Sequence, residues 1–439
     1  MKVALVHDFL IEYGGAERVL EALHEIWPKA PVYTAFFNPD SLGPNASKFK
    51  GWKIITSWGT RLPFWQKLVS PYRIFSKSFF ESIDLSGFDL VVSSSNMYMA
   101  KAVKVPNGVH VCYCHTPPRF LYGYPTALNW RKNPLLRPIG EVINHFMRVW
   151  DFEAAQEPFR GSTPKAQSKP SGVEPLRSKG RVDYFIANSK EVQARIKKFY
   201  RRDSLVIYPP VNISAFSNQR IASRKKTLNA SLLDSKPYFL VVSRLVGAKK
   251  VDIVVDVCAK LGLPLKVVGS GKEMQSLQKL AEKLSKRISR YSSSEQSESR
   301  SSRQARTINN SMVEFLGEVS DDQLIDIYKN CRAVIFPAEQ EDFGLVPVEA
   351  MAAGKPVIAN AQGGVLESVI DAIPAGKGKG TGVYFDPATV GSLTLAINNF
   401  VNLEKKGYFD PKFIRRHAQK FSKERFKREV LKFVESKIK

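Results

Sequence analysis

The chain has 439 residues, 44% of them hydrophobic, and a formal net charge of +25. That length accommodates two domains of ordinary size, and no apolar run approaches the roughly 20 residues that span a bilayer. The N-terminal strand turns polar at His7-Asp8, which argues against a signal peptide and for a cytoplasmic location. The positive charge predicts an anionic partner, and nucleic acid, anionic lipid and a phosphorylated substrate all satisfy it.

The first half of the chain alternates short apolar runs with helical patterns, which is typical of a parallel sheet. Gly14-Gly15 opens the first amphipathic helix, but neither the three-glycine dinucleotide fingerprint nor a P-loop lysine motif occurs in the chain. Pro209-Pro210 ends this pattern and marks a hinge. The predicted strands lie at residues 2–7, 89–93, 109–113, 182–187 and 205–208.

The second half repeats the pattern, which predicts a second α/β domain of similar size and a ligand cleft between the two domains. The predicted strands lie at residues 238–243, 265–268, 313–316, 333–336, 357–359 and 383–385. The expected domains are 1–209, 210–415 and a C-terminal helix, 416–439, that packs back on the first domain. Polar, low-complexity composition predicts disordered insertions at about 157–180 and 286–310.

Four cysteines in so long a chain do not suggest a disulfide framework. A metal site is suggested by the short spacing of Cys112, Cys114 and His115 in the sequence. Both thiols fall on the same face of a predicted strand, however, and no second ligand pair follows at zinc spacing. We therefore expect buried cysteines and no metal.

Two segments of the first domain, 61–80 and 130–150, interleave basic, aromatic and aliphatic residues. Such segments could rest on an anionic membrane surface. They could equally be helices that pack inward and keep their basic faces in water. The sequence leaves both interpretations open.

The stretch from Glu341 to Glu349 has the composition of an anion site. It follows an apolar strand, and Pro347 suits the first turn of a helix. The start of a helix attracts negative charge, so a carboxylate on each side could hold sugar or ribose hydroxyls while amides hold phosphate. Acidic residues are also common at helix starts for purely structural reasons.

Arg244 and Lys249 follow the first strand of the second domain, and Gly269 and Gly271 follow the next. Cations at the carboxyl end of a strand face the ligand side of an open sheet, where they could offset a diphosphate. The glycines would let a nucleotide approach the backbone. No Asp-x-Asp pair is present in the chain, so neutralisation is expected to fall to these cations and a helix start rather than to a metal.

Together these features resemble family 4 of the retaining glycosyltransferases, which have the GT-B architecture of two Rossmann-like parallel-sheet domains facing across a cleft. The resemblance covers nearly the whole chain except the two insertions, and within the family it is closest to the bacterial mannosyltransferases of O-antigen and related polysaccharide assembly. The sequence departs from the family pattern at Gly247-Ala248, where a proline and an aromatic residue are common. The resemblance to the family rests on the motifs Val6-His-Asp8, Gly14-Gly15, Cys112-Tyr-Cys-His-Thr-Pro117, Ala187-Asn-Ser189, Ile207-Tyr-Pro-Pro-Val211, Ser243-Arg-Leu-Val246 with Lys249, Phe336-Pro337 through Glu349, and Gly363-Gly364.

The resemblance implies a role for each matching residue. Arg244 and Lys249 would bind the donor diphosphate, Glu341 the sugar hydroxyls and Glu349 the ribose. The donor site would also include Gly15, Gly269, Gly271, Phe343, Gly344 and Leu345. His115 would lie near the transferred sugar, although it could also be a satisfied core histidine.

The expected reaction is retaining, metal-independent transfer of a hexose from a nucleotide-sugar, GDP-mannose, to a lipid-linked glycan acceptor at an anionic membrane surface, with no cofactor. A UDP-sugar transferase and a sugar-nucleotide epimerase of similar fold are the enzymatic alternatives. A basic nucleic-acid-binding protein is the alternative of another class, but the basic residues are scattered and no nucleic-acid module is present in the sequence.

Overall fold

A computed structural model describes residues 1–124, 134–158, 181–216, 237–294, 312–373 and 379–438. The chain forms two compact units, Met1–Pro210 with Lys423–Lys439, and Val211–Ser422. Among the described residues, none of the helices combines the length and the apolar character required to cross a membrane.

The first unit is built on a seven-stranded parallel sheet in the order β3-β2-β1-β4-β5-β6-β7. Its strands are β1 (Val3–His7), β2 (Val32–Thr34), β3 (Ile54–Thr56), β4 (Leu90–Ser95), β5 (Val109–Cys114), β6 (Tyr184–Ala187) and β7 (Ser204–Val206). Its helices before Pro210 are α1 (Gly15–Ile26), α2 (Pro39–Leu42), α3 (Trp65–Leu68), α4 (Ser76–Glu81), α5 (Leu136–Ala154) and α6 (Lys190–Tyr200).

Helices cover both faces of this sheet, as the burial of alternate residues in β1 shows. Val3 and Leu5 belong to a core shared with α1, whereas Ala4 and Val6 belong to a second core on the opposite face. Because neighbouring strand residues point to opposite faces, a strand covered on both sides is apolar throughout. All five residues of β1 are buried.

The second unit contains a six-stranded parallel sheet in the order β10-β9-β8-β11-β12-β13. Its strands are β8 (Phe239–Val242), β9 (Leu265–Val268), β10 (Val313–Gly317), β11 (Ala333–Phe336), β12 (Val357–Asn360) and β13 (Gly382–Phe385). Its helices are α7 (Val251–Lys260), α8 (Met274–Ser294), α9 (Asp321–Asn330), α10 (Leu345–Ala352), α11 (Val365–Ser368), α12 (Val390–Lys405) and α13 (Pro411–Ala418).

The final helix, α14 (Lys423–Ile438), belongs to the first unit. Phe426, Val430 and Val434 are fully buried in the core that contains α1. Lys423 and Lys427 both pair with Glu25, at 2.7 and 3.1 Å. The apolar stripe of this helix therefore serves packing.

The predicted α/β class with two parallel sheets is confirmed, but the sequence patterns missed two strands and placed the start of one insertion too early. Strands β2 and β3 were not predicted. Helix α8 continues to Ser294, into the segment that composition assigned to an insertion starting at 286. Helix α6 is capped by Ser189, whose hydroxyl accepts a hydrogen bond from the Val192 amide. The remainder of both predicted insertions, 159–180 and 295–310, lies outside the described residues.

Candidate functional site

The loops that carry the predicted donor residues meet at the carboxyl edge of the second unit's sheet. From β8 the sheet grows through β9 to β10 on one side and through β11 to β13 on the other. The switch point therefore lies between β8 and β11, which is where open α/β sheets bind ligands. The loop after β8 bears Arg244 and Lys249, and the loop after β11 bears Glu341.

Two ion pairs tie these loops together. The Lys249 ammonium contacts the Glu341 carboxylate, and both side chains are largely buried, with 18% and 22% of their surface exposed. The next lysine, Lys250, pairs with Glu339 at 3.6 Å. The Lys249–Glu341 pair joins residues 92 positions apart in the chain. The sequence did not predict this contact. An anion bound at this edge would share Lys249 with Glu341.

Helix α10 starts beside this ion pair. Gly344 has a φ of +85°, a conformation that glycine adopts without strain, and the helix begins at Leu345. The first amides of any helix have no carbonyl partner within it, so they favour an anionic ligand. Phe343 is buried and packs on Phe421, with ring centroids 5.5 Å apart.

Glu349 lies in the second turn of α10. Its side chain is buried, and the Tyr328 hydroxyl donates a 2.8 Å hydrogen bond to its Oε2. This bond fixes the carboxylate in the helix. Arg244, by contrast, is an exposed residue of the loop after β8.

Gly269 and Gly271 have a structural reason to be glycine. Their φ angles are +124° and +153°, and a Cβ on either would overlap the carbonyl oxygen of Ser243 or Leu245 in the loop after β8. The space at these glycines is therefore filled by that loop, which carries Arg244. Contact of either glycine with a nucleotide stays a prediction.

The two remaining predicted residues, Gly15 and His115, belong to the first unit. Gly15 is exposed at the first position of α1. His115 follows β5, is 7% exposed, and its Nε2 lies 2.8 Å from the Ser94 hydroxyl. Burial, with the nearby His7, lowers the pKa of His115 to about 3. His115 is therefore a neutral imidazole at physiological pH.

Asp8 organises the loops around this histidine. It is buried, and its two oxygens accept hydrogen bonds of 2.6 to 3.0 Å from four backbone amides of the loop after β4, those of Asn96, Met97, Tyr98 and Ala100. The first unit's switch point lies between β1 and β4, so Asp8 joins the two loops that border it. Sequence reasoning quoted Asp8 within a motif but gave it no role.

The cysteines near His115 are core residues. Cys112 and Cys114 are fully buried in β5, and burial raises the pKa of the Cys112 thiol to about 12. Within the part of the chain that the structure describes, no cluster of three or more His, Cys, Asp or Glu side chains has the arrangement of a metal site.

The fold is the GT-B architecture of glycosyltransferases. The crystal structure of HepE from Anabaena in complex with UDP-glucose matches with a TM-score of 0.63 at 18% identity, covering 99% of this chain and all of that one. The two parallel sheets of seven and six strands agree with this assignment.

Sequence comparison adds a family-level match within the second unit. Residues 292–417 match the family model described as glycosyl transferases group 1. An alpha-1,3/1,6-mannosyltransferase of Dictyostelium discoideum is 28% identical over 51% of this chain and 53% of the relative. A D-inositol 3-phosphate glycosyltransferase of Streptomyces bingchenggensis is 28% identical over 57% of this chain and 51% of the relative. The chain spans about half the length of the curated relatives it matches.

Proposed function

We propose that this chain is a retaining glycosyltransferase that moves mannose from GDP-mannose onto a lipid-linked glycan acceptor in cell-surface polysaccharide assembly. The observation that carries the proposal is the Lys249–Glu341 ion pair at the switch point, beside the start of α10. The mannosyltransferase from Dictyostelium discoideum supports the choice of sugar. The family-model match to glycosyl transferases group 1 supports the reaction class.

The proposed chemistry depends on fixed positive charge. When the bond from the anomeric carbon to the diphosphate oxygen breaks, positive charge develops on the sugar and negative charge on the diphosphate. Arg244, Lys249 and the amides that begin α10 would stabilise that negative charge. The acceptor hydroxyl attacks from the face that the diphosphate leaves and passes its proton to a diphosphate oxygen, so the configuration is retained.

The two glutamates are expected to have different kinetic roles. We assign Glu341 to hydroxyls of the reacting sugar, so Glu341→Gln should lower kcat by roughly tenfold to 100-fold. We assign Glu349 to the ribose, so Glu349→Gln should mainly raise KM for the donor. Glutamine can still accept the Tyr328 hydrogen bond, which keeps α10 intact. Steady-state kinetics separates the two effects.

Glu339→Gln provides the control for this pair of variants. It removes a carboxylate from the same loop but affects the Lys250 ion pair instead, and near-normal kinetics are expected. The role assignment is wrong if Glu341→Gln changes only KM, or if Glu349→Gln changes only kcat.

Thermal-shift measurements with GDP, UDP and ADP and their sugars test the donor assignment. A ligand that binds only the native state stabilises it by RT ln(1 + [L]/Kd), so the tightest nucleotide gives the largest shift. We expect GDP and GDP-mannose to give it. A larger shift with UDP would overturn the mannose assignment. Salt-dependent oligonucleotide binding without any nucleotide shift would favour a nucleic-acid-binding protein.

A UDP-sugar is the second candidate donor, because the HepE structure of the same fold contains UDP-glucose. The sequence also departs from the family pattern at Gly247-Ala248, in the loop after β8. These residues form a short 3-10 turn, Gly247–Lys249, that carries Lys249. The thermal-shift series distinguishes the two donors directly.

We also propose that the first unit binds an anionic membrane surface through α5. Asn144, Met147 and Asp151 of this helix are buried, so its opposite face points outward. That face carries five exposed apolar side chains, those of Ile139, Val142, Ile143, Phe146 and Val149, and Leu135, just before the helix, is also exposed. An apolar stripe of this size on an amphipathic helix is typical of a membrane-surface or interaction site.

The segment 61–80 supports the same surface. Its α4 residue Lys77 lies 5.7 Å from the Trp150 ring centroid and pairs with Glu153 at 3.5 Å, so the two segments are neighbours. Phe64, with 72% of its surface exposed, extends the apolar character, whereas Phe79 and Phe80 pack inward. Part of this segment therefore packs inward, and its exposed part supports the proposed membrane surface.

Vesicle sedimentation tests the membrane surface. We expect the protein to sediment with vesicles of phosphatidylglycerol and phosphatidylethanolamine, and the double variant Ile139→Ser/Phe146→Ser to lose about tenfold or more in affinity because it buries less apolar surface. Leu395→Ser is the control, since Leu395 is 66% exposed on α12 of the other unit. Equal binding of all three proteins would contradict the proposal.

A further inference from the structure

A buried chain of hydrogen bonds links the glycine turn of the first unit to His115. The Gly14 amide donates to Glu17 Oε2 at 2.7 Å, and Glu17 Oε1 lies 3.3 Å from His7 Nε2. His7 Nδ1 lies 3.1 Å from the Ser94 hydroxyl, which lies 2.8 Å from His115 Nε2. The four side chains of this network, those of Glu17, His7, Ser94 and His115, are all buried.

The chemistry of the groups gives these hydrogen bonds a direction. A carboxylate only accepts hydrogen bonds, so Glu17 requires a proton on His7 Nε2. For a neutral His7, Nδ1 then accepts from the Ser94 hydroxyl. The Ser94 oxygen in turn accepts from His115 Nε2, which must carry the proton. His115 Nδ1 is left as a lone pair, and within the described residues it makes no hydrogen bond.

The surroundings hold the groups of this network in place. The Tyr113 ring packs edge-on against His115, with centroids 5.2 Å apart. Asp8, adjacent to His7 in the chain, has both oxygens occupied by backbone amides. The register of the sheet sets His7 of β1 directly beside Ser94 of β4. The register of the sheet therefore fixes the contact between His7 and Ser94.

We propose that Glu17, His7 and Ser94 are positioning residues that hold His115 in its Nε2–H tautomer, so that Nδ1 accepts a hydrogen bond from a hydroxyl of the sugar substrate. The tautomer of a histidine is set by the bond that its other nitrogen makes. The network also begins at the Gly14 amide, so it connects the turn before α1 with the histidine. The sugar-binding part of this inference rests on the proposed glycosyltransferase function.

Glu17→Gln is the sharpest test because it reverses the hydrogen bonds without changing shape. The amide oxygen still accepts from Gly14, while the amide nitrogen now donates to His7 Nε2. His7 then carries its proton on Nδ1, Ser94 donates to His115 Nε2, and His115 becomes the Nδ1–H tautomer. Nitrogen-15 NMR of the histidine side chains, assigned with His115→Gln, reports this exchange directly.

Ser94→Ala breaks the network, and Ser93→Ala is its matched control. Ser93 is equally buried on β4 and contacts His110 Nε2 at 2.8 Å, outside the network. We expect Glu17→Gln and Ser94→Ala to lower kcat by about tenfold or more, the scale of a misplaced active-site group, with little change in donor KM. Ser93→Ala should keep a kcat within about twofold of the wild-type value, because Ser93 lies outside the network.

The NMR and kinetic results separate the two proposals. A wild-type His115 that carries its proton on Nδ1 overturns the positioning role, even if every variant fails to fold. An unchanged tautomer in folded Glu17→Gln or Ser94→Ala also overturns it. If wild type transfers no sugar, the proposed function fails, while the NMR signals still decide whether the network sets the tautomer.

Discussion

Lys249→Ala is expected to lower kcat/KM for sugar transfer by about 100-fold or more, the loss seen when a preorganised charge contact is removed. Arg244→Ala should have an effect of the same order. Lys249 is largely buried at the switch point, where its charge is screened less than on the surface. Its removal would take away one of the two cations assigned to the leaving diphosphate and leave Glu341 without its Lys249 partner.

Lys250→Ala is the matched control for this prediction. Lys250 is the next residue, carries the same charge and pairs with Glu339 across the same two loops, but its side chain is more exposed, at 35%. We expect near-wild-type kinetics from this variant. Equal losses for Lys249→Ala and Lys250→Ala would indicate a general effect of charge, and near-normal turnover of Lys249→Ala would remove the assigned role.

Lys101→Met is expected to cost about 3–5 kcal/mol of stability in the first unit, because it leaves a buried carboxylate unpaired. The Lys101 ammonium contacts Asp151 of α5, and the two side chains are 1% and 0% exposed. The Tyr122 hydroxyl donates to the other Asp151 oxygen at 2.9 Å, and the Lys101 ammonium lies 5.1 Å from the Tyr200 ring centroid.

Hydrogen exchange of the α5 and β5 amides measures this loss locally, which suits a chain of two units. Lys197→Met is the control, since Lys197 forms an exposed ion pair with Asp203 at 2.7 Å. Exposed pairs contribute only about 0–1 kcal/mol. Similar protection in Lys101→Met and wild type would show that the Asp151 charge is satisfied in another way.

Sequence patterns predicted the buried strands of both sheets but missed two at the edge of the first. Strands β2 and β3 have three residues each, too short for periodicity to be recognised. Helix α8 extends past the predicted boundary because low-complexity composition does not prevent the last turns of a preceding helix from forming. The boundaries of helices are therefore harder to predict from sequence than the presence of buried strands.

The positions of the residues proposed to bind the donor follow from a general rule, because the carboxyl ends of parallel strands share one edge of the sheet. That rule brought Lys249 and Glu341 to the same edge, but their direct contact depends on loop conformation. The network from Glu17 to His115 was not predicted, because it depends on the register that sets His7 beside Ser94. The packing of Gly269 and Gly271 against the loop after β8 was not predicted, and their contact with a nucleotide stays a prediction.

The most direct test of the account is transfer of radiolabelled mannose from GDP-mannose into the lipid fraction of membrane extracts. Wild-type protein is expected to move label into material that organic solvent extracts, and Lys249→Ala to move about 100-fold less. Two results would contradict the account. One is that wild type binds the donor without transferring the sugar; the other is that wild type and Lys249→Ala transfer label at equal rates.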